Sequence, residues 1–182
     1  MSETARAFVA LEIAAPMRER IAGVMGDLRR HIQDVRWAPV EQLHLTLRFL
    51  GDSTPGQLER VERGLAEAVR TCPQGAATVA GLGVFPERGG PRVLWLGLTL
   101  PDEVIALQHA CARIAVAAGF GAERRDFRPH LTLGRWRGPA RRPDLPPVDL
   151  GTTPLERVIL FRSELRPQGA IHTPLATFEL GG

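Results

Sequence analysis

Hydrophobic residues alternate with polar ones in several short segments, and they recur every three or four residues in three longer ones. Alternation is typical of strands and the longer period of amphipathic helices. Strands are predicted for Phe8–Ile13, Leu43–Leu50, Thr78–Val84, Arg92–Leu98, Phe127–Arg135, Val158–Leu165 and Ala176–Leu180. Helices are predicted around the stripes Met17–Ile32, Leu58–Val69 and Val104–Ala118, the last of which stops at Gly119. Thr54 and Gln57 have the spacing of a capping box before the second helix.

One four-residue string, His-Leu-Thr-Leu, occurs twice, at residues 44–47 and 130–133. The chain has only five histidines, so a chance repeat of a string that begins with histidine is improbable. In a strand, His44 and Thr46 share one face and the two leucines share the other. The same holds for His130 and Thr132. Two such strands facing one another would present two imidazoles and two hydroxyls to one cleft.

This combination of side chains is suited to acid–base chemistry on a phosphate. Imidazole has an ordinary pKa of about 6.5, so a pair can hold one neutral and one protonated ring near neutral pH. The threonine hydroxyls can donate hydrogen bonds to oxygens of a bound anion. A single His-x-Thr is more often a structural pair, and the duplication favours the catalytic interpretation. A zinc site is disfavoured because no further ligand stands at metal spacing; we expect neither metal nor cofactor.

The sequences around the two strings, HLTLRFLG at 44–51 and RPHLTLGR at 128–135, resemble the two signatures of the two-histidine phosphoesterases. Over nearly its full length the chain resembles the bacterial and archaeal RNA 2′,3′-cyclic phosphodiesterases, also called 2′-5′ RNA ligases. The resemblance implies metal-independent opening of a 2′,3′-cyclic phosphate at an RNA 3′ end to give a 2′-phosphate. It implies that His44 and His130 are the acid–base pair and that Thr46 and Thr132 bind the nonbridging oxygens.

The resemblance also places an arginine near the active site, at Arg135. Regular alternation would turn Arg135 away from His130, so a contact with phosphate requires a bulge or a strand end, which Gly134 permits. Three questions stay open from the sequence: hydrolysis or 2′-5′ ligation at the same site, catalysis or RNA binding alone, and which histidine is the acid.

The order of the predicted elements indicates an α+β fold, because strands outnumber helices and hairpin-like connections follow one another. We predict a single domain over residues 1–182. The repeated string and the family resemblance predict two similar lobes, with two antiparallel sheets and flanking helices around a shared cleft.

The amino-acid composition bears on the class of substrate and on the cellular compartment. The 182 residues carry a net charge of +3, and all 23 basic residues are arginine. GC-rich coding explains most of this bias, but arginines crowd the second motif, where they suit a polyanion such as RNA. They are Arg124, Arg125, Arg128, Arg135, Arg137, Arg141 and Arg142. No apolar run predicts a signal peptide or a membrane span, and Cys72 and Cys111 stand alone. We expect a cytoplasmic monomer that acts on RNA.

Several residues outside the motifs have two interpretations. Aromatic residues can stack on nucleobases, but Phe49 and Trp95 are predicted to pack in the core, and the loop after Phe85 is the better candidate for RNA contact. The stretch Arg137–Pro154 is either a flap or a surface insertion. His172 stands before the last predicted strand, where related sequences often have tyrosine, and its role is open.

Overall fold

The computed structural model describes residues 4–167 and 169–181, and within these residues it contains three α-helices and nine strands. The helices are α1 (Ala15–Arg29), α2 (Pro55–Arg70) and α3 (Asp102–Ala117). The strands are β1 (Ala5–Glu12), β2 (Val35–Trp37), β3 (His44–Ser53), β4 (Gly75–Phe85), β5 (Val93–Thr99), β6 (His130–Trp136), β7 (Asp149–Leu155), β8 (Arg157–Arg166) and β9 (Gly169–Glu179). A short 3-10 helix, Val40–Gln42, precedes β3.

The described strands pair antiparallel in the order β7-β4-β5-β6-β3-β1-β8-β9, with β2 added beside β6. This arrangement confirms the α+β class. The prediction of two separate sheets is wrong in number, because the strands form one continuous sheet. The junction is narrow: β3 and β6 share only the pair Leu45–Leu131, whereas β1 and β3 pair along eight positions. Each motif strand therefore belongs to one half of the sheet and lies at the seam between the halves.

One face of the sheet packs against the helices and forms the core. On β1 the core residues are Ala7, Val9 and Leu11, and on the motif strands they include Leu45 and Leu131, all nearly inaccessible to solvent. Burying a leucine side chain contributes about 1.5–3 kcal/mol, so each motif strand is fixed in register by its leucines. A slip of one residue would turn them outward. The opposite face is left for the histidines and threonines.

α2 and α3 follow their sequence signals closely, whereas α1 ends at Arg29, three residues before the end of its predicted stripe at Ile32. Thr54 accepts from the backbone of Gln57, and the Gln57 side chain accepts from the Thr54 backbone, so the capping box at the start of α2 is confirmed. After α3, Gly119 has a φ of +95°, a conformation that glycine adopts readily. α2 and α3 pack closely at Gly64, where an added Cβ would come within 2.7 Å of the Ile114 side chain.

The edge strands differ from the prediction. β7 begins inside the Arg137–Pro154 stretch, where no strand was predicted, and it pairs with β4 despite Gly151 and Pro154. Proline is tolerated there because an edge strand needs partners on one side only. β9 begins at Gly169, seven residues before the predicted strand, so His172 lies inside it and not before it. In the first half of β9 the apolar residues Ile171 and Leu175 are exposed, whereas His172 is half-buried, so the hydrophobic pattern there does not follow the alternation on which the prediction depended.

Cys72 and Cys111 are both buried free thiols, as their isolation in the sequence indicates. Within the described part of the chain, no helix has the length and apolar character needed to cross a membrane.

Candidate active site

The two His-Leu-Thr-Leu strings lie side by side where the halves of the sheet meet. The pair Leu45–Leu131 fixes their antiparallel register. Extending that register by one residue in each direction sets His44 opposite Thr132, and Thr46 opposite His130. Because opposed residues of antiparallel strands share a face, all four polar side chains lie on the face away from the helices.

Both imidazoles are held in the same way by the backbone. Nδ1 of His44 lies 2.6 Å from the carbonyl oxygen of Gln42, and Nδ1 of His130 lies 2.6 Å from that of Arg128. A carbonyl can only accept, so Nδ1 is the donor in each ring. This fixes the tautomer: each neutral ring has an unprotonated Nε2. That atom can take a proton as a base or, once protonated, return it as an acid.

Aromatic rings pack around each histidine. Phe8 of β1 stacks on His44 at 4.8 Å between ring centroids. On the other half, Phe85 of β4 and Trp95 of β5 approach His130 edge-on at 5.1 and 6.4 Å. These contacts exclude water from the two rings and limit their rotation.

The site in its free form disfavours the charged imidazolium. Burial lowers the pKa of His44 from 6.5 to about 4; its hydrogen bond to Gln42 opposes the shift, and His172 and His130 add to it. Burial also lowers the pKa of His130, and the nearby charge of Arg135 lowers it further. Both rings are therefore neutral near pH 7 before an anion binds. The charge of His130 contributes to the lowered pKa of His44, as expected for two imidazoles on the same face of adjoining strands.

The threonines of both motifs are half-buried beside the histidines. Within the described residues neither the Thr46 nor the Thr132 hydroxyl has a hydrogen-bond partner in the protein. Both hydroxyls are available to donate to an oxygen of a bound anion.

Each motif strand has a register shift just after its threonine. The shift changes the face of the sheet on which Phe49 and Arg135 lie, the residues five positions after His44 and His130. The β1–β3 register shifts between Thr46 and Arg48, and Phe49 then pairs with Phe8. The β5–β6 register shifts between Thr132 and Gly134, and Arg135 then pairs with Val93. This register shift is the bulge that Arg135 needs in order to contact a phosphate. It places Arg135, which is exposed, on the same face as His130.

Phe49 and Trp95 correct the sequence prediction, because neither lies in the core. Phe49 is 62% exposed and contacts Phe8 at 6.0 Å; the shifted register turns it away from the helices. Trp95 is half-buried against Phe85 and His130, on the face opposite its buried neighbours Leu94 and Leu96. Simple alternation predicts the Trp95 orientation, whereas the Phe49 orientation depends on a bulge.

Arg48 was not singled out from the sequence, and it connects the two motifs. Its side chain is only 6% exposed. It forms an ion pair with Glu123 at 2.9 Å and donates to the carbonyl of Gly121. Both partners lie in the segment between α3 and the second motif strand, so Arg48 ties that segment to the first motif strand. A charged residue within an apolar motif strand is the signal that could have revealed it.

The arginines near the second motif are all exposed, and two of them organise the adjoining loops. Arg128 pairs with Glu87 and lies over the Phe85 ring at 5.9 Å. Arg142 donates to the carbonyls of Pro86 and Glu87. The stretch that begins at Arg137 is thus fastened to the loop after Phe85, where sequence reasoning placed an RNA contact.

Metal-ligating side chains do not converge in this site or elsewhere in residues 4–167 and 169–181. No group of three or more histidine, cysteine, aspartate or glutamate side chains there is arranged to hold a metal ion. The groups that the two motif strands bring together are two imidazoles, two hydroxyls and one guanidinium, a set that fits an anionic substrate.

Comparison with known proteins gives a consistent family. Residues 11–95 match the family described as LigT-like phosphoesterase. The chain is 35% identical to the RNA 2′,3′-cyclic phosphodiesterase of Methanothermobacter thermautotrophicus, over 96% of this chain and 98% of that protein. It is 34% identical to the Thermus thermophilus protein of the same name, over 90% and 86% of the two chains.

Solved structures with a similar fold point to the same family. TT0787 of Thermus thermophilus superposes with a TM-score of 0.86 at 30% identity, over 97% of this chain and 98% of that chain. Escherichia coli LigT, crystallised with 3′-AMP, superposes with a TM-score of 0.85 at 26% identity, over 99% and 100% of the two chains.

Proposed function

This chain belongs to the LigT-like phosphoesterases, and from that premise we propose that it hydrolyses the 2′,3′-cyclic phosphate at the 3′ end of RNA. The observation that supports this function best is the matched pair of imidazoles. Each donates Nδ1–H to a backbone carbonyl at 2.6 Å, which leaves Nε2 of His44 and of His130 for the substrate. The proposed catalyst is one domain whose similar halves each supply one motif.

The proposed reaction transfers one proton at each histidine. Nε2 of His130 takes a proton from water while the water oxygen forms a bond to phosphorus. The bond between phosphorus and the 3′ oxygen breaks, and His44 gives its proton to that oxygen. The products are a terminal 2′-phosphate and a free 3′-hydroxyl. His130 is then protonated and His44 neutral, and exchange with solvent restores the starting state.

The substrate itself makes the acid available. A cyclic phosphodiester has one negative charge, and an anion beside an imidazole favours the imidazolium. The low pKa of free His44 therefore rises when substrate binds, and the proton that catalysis needs is acquired with the substrate. Thr46, Thr132 and Arg135 are the proposed donors to the nonbridging oxygens, where charge increases in the transition state.

Features beside the catalytic groups support RNA as the substrate. Exposed arginines surround the second motif and can neutralise phosphates of the chain upstream of the cyclic end. Phe49 exposes an aromatic ring on the catalytic face, where a nucleobase can stack on it. Its centroid lies at most about 11 Å from that of His44, because both rings contact Phe8, at 6.0 and 4.8 Å.

We further propose that the protein acts as a monomer in the cytoplasm. Each motif is supplied by the same chain, so one copy contains the whole proposed site, and both cysteines are free thiols. Sedimentation of the active protein at assay concentration tests the first statement.

The deciding experiment is turnover of a panel of 2′,3′-cyclic phosphates. The panel contains the four cyclic mononucleotides and an oligoribonucleotide with a cyclic end, with and without a second oligonucleotide that has a 5′-hydroxyl. Products are identified by mass and by sensitivity to phosphatase. The matched variants are His44→Ala, His130→Ala and, as a control on an exposed histidine of α3, His109→Ala.

A 2′-phosphate formed by the unmodified protein and by His109→Ala, but not by the two motif variants, is the expected result. A joined oligonucleotide as the main product would instead make ligation the function. Binding of the cyclic oligonucleotide without turnover would reject catalysis.

A further inference from the structure

His172 is a third histidine at the site, and it contacts His44. It lies on β9, which is separated from β3 by β1 and β8. The backbones of strands three apart in a flat sheet would lie about 14 Å from each other. The His44 and His172 rings are nevertheless 5.4 Å apart and perpendicular, and His172 also meets Phe8 edge-on at 4.9 Å. The sheet therefore curls enough to bring the last strand over the first motif.

The buried nitrogen of His172 is unusual. Its Nδ1 is inaccessible to solvent and has no hydrogen-bond partner. A proton on that atom would be a buried donor without an acceptor, which is costly. The ring therefore favours the neutral form with its proton on Nε2, and it covers His44 as an uncharged group near neutral pH.

His172 makes the environments of the two catalytic histidines unequal. The motifs have the same letters and both rings donate Nδ1–H to a carbonyl, yet the reaction requires one acid and one base. Each catalytic histidine has two aromatic neighbours, which are Phe8 and Phe161 for His44 and Phe85 and Trp95 for His130. His172 is added to the His44 group alone, and Arg135 is the charged neighbour of His130.

The ionisable groups that face His44 can be named strand by strand. β1 contributes Glu12, which pairs with His44 in register and forms ion pairs with Arg18 and Arg157. β6 contributes His130 and β9 contributes His172. β8 faces it with the uncharged ring of Phe161.

We propose that His172 is a positioning residue for His44, covering that ring and keeping the proton off it until an anionic substrate binds. This role deepens the proposed cyclic-phosphate hydrolysis and, for its effect on rate, rests on it. Near neutral pH the covering ring excludes water from His44. As the pH falls, His172 competes for the same proton, because two adjacent imidazolium ions repel each other. Burial lowers the pKa of His172, so this competition begins only below the ordinary imidazole range, and near neutral pH the ring acts by covering His44.

Two substitutions of His172 separate the covering of the His44 ring from the competition for its proton. His172→Phe keeps a ring over His44 and removes the competing proton site, whereas His172→Gln also opens the space to water. We expect the pKa of His44 to rise in both variants, and further in His172→Gln. The rise should be at least about half a pKa unit, the size of a water-screened interaction between charges 5.4 Å apart. His109→Phe is the matched control, and it should leave the pKa of His44 unchanged.

The measurement is the NMR titration of the His44 ring in the substrate-free protein, paired with the pH profile of kcat/KM on a cyclic mononucleotide. Thermal unfolding of each variant confirms that it is folded. An unchanged His44 titration in folded His172→Phe and His172→Gln would overturn the inference. Because the titration needs no turnover, a shifted His44 in a protein that hydrolyses no cyclic phosphate would support the inference and refute the proposed function.

Discussion

Acidification should destabilise this protein through His44, without any change in the carboxylates. The pKa of His44 is lowered to about 4 in the folded protein because the ring is buried, and it returns to about 6.5 in the unfolded chain. Between these values the unfolded state binds more protons than the folded state. The free energy of unfolding therefore rises with pH across this window. The stabilisation is fully present above pH 6.5 and is lost as the pH falls toward 4.

The magnitude follows from the shift. A difference between 6.5 and about 4 amounts to about 3 kcal/mol, at about 1.4 kcal/mol for each pKa unit. This is a large fraction of the roughly 5–15 kcal/mol that stabilises an ordinary domain. The lowered pKa values of His130 and His172 act with the same sign. The three histidines together should make the folded state unusually sensitive to mild acid.

The assay is urea unfolding at half-unit steps from pH 7.5 to pH 4 for the unmodified protein, His44→Gln and His109→Gln. Substitution of His44 loses the hydrogen bond to Gln42 at every pH, which gives a constant offset. The quantity to follow with pH is the difference in unfolding free energy between His44→Gln and the unmodified protein. We expect His44→Gln to gain up to about 3 kcal/mol relative to the unmodified protein as the pH falls, and His109→Gln to show no such gain.

Parallel stability curves for the unmodified protein and His44→Gln would refute this reasoning. They would mean that His44 keeps an ordinary pKa in the folded state. The neutrality of the free site, on which the substrate-supplied proton depends, would then have to be abandoned.

The remaining predictions concern activity. His44→Ala and His130→Ala should each lower kcat by about 10²–10⁴-fold, and the double variant should be little worse because the two rings act in one step; a near-normal rate in either would contradict the mechanism. If His44 is the acid, its loss should matter less with an activated aryl phosphodiester, and an equal loss on both substrates would exchange the roles. Dialysis against EDTA should leave turnover unchanged, whereas inactivation that zinc reverses would refute a metal-independent reaction. Arg135→Lys should lower kcat/KM because lysine cannot form a planar bidentate contact. Arg142→Ala should instead raise KM for longer RNA only; equal, negligible effects of the two would leave the arginines without a role in binding.

Local patterns in the sequence determined most of the framework. Period and capping residues located the three helices, since the Thr54–Gln57 box and Gly119 act within a few residues of themselves. Alternation in the motif strands assigned their leucines to the core and their histidines to the other face. It depends only on the geometry of an extended chain, so no partner strand needs to be known.

Register, bulges and curvature were decided by the tertiary structure. Phe49 and Arg135 both face the site because the motif strands change register against β1 and β5, and a bulge exists only relative to the strand beside it. β7 is a strand because β4 offers it an edge, although its own residues favour a loop.

The position of His172 is the clearest case of this division. Its number in the chain places it 128 residues from His44, and nothing in the local pattern around Gly169–Thr173 distinguishes a surface turn from a strand beside the site. Repetition of one string revealed the two motifs because each strand separately buries its own leucines. The contact between His44 and His172 depends instead on the summed twist of four strands, β3, β1, β8 and β9. Twist accumulates from strand to strand over the whole sheet, and no single segment of the sequence encodes it.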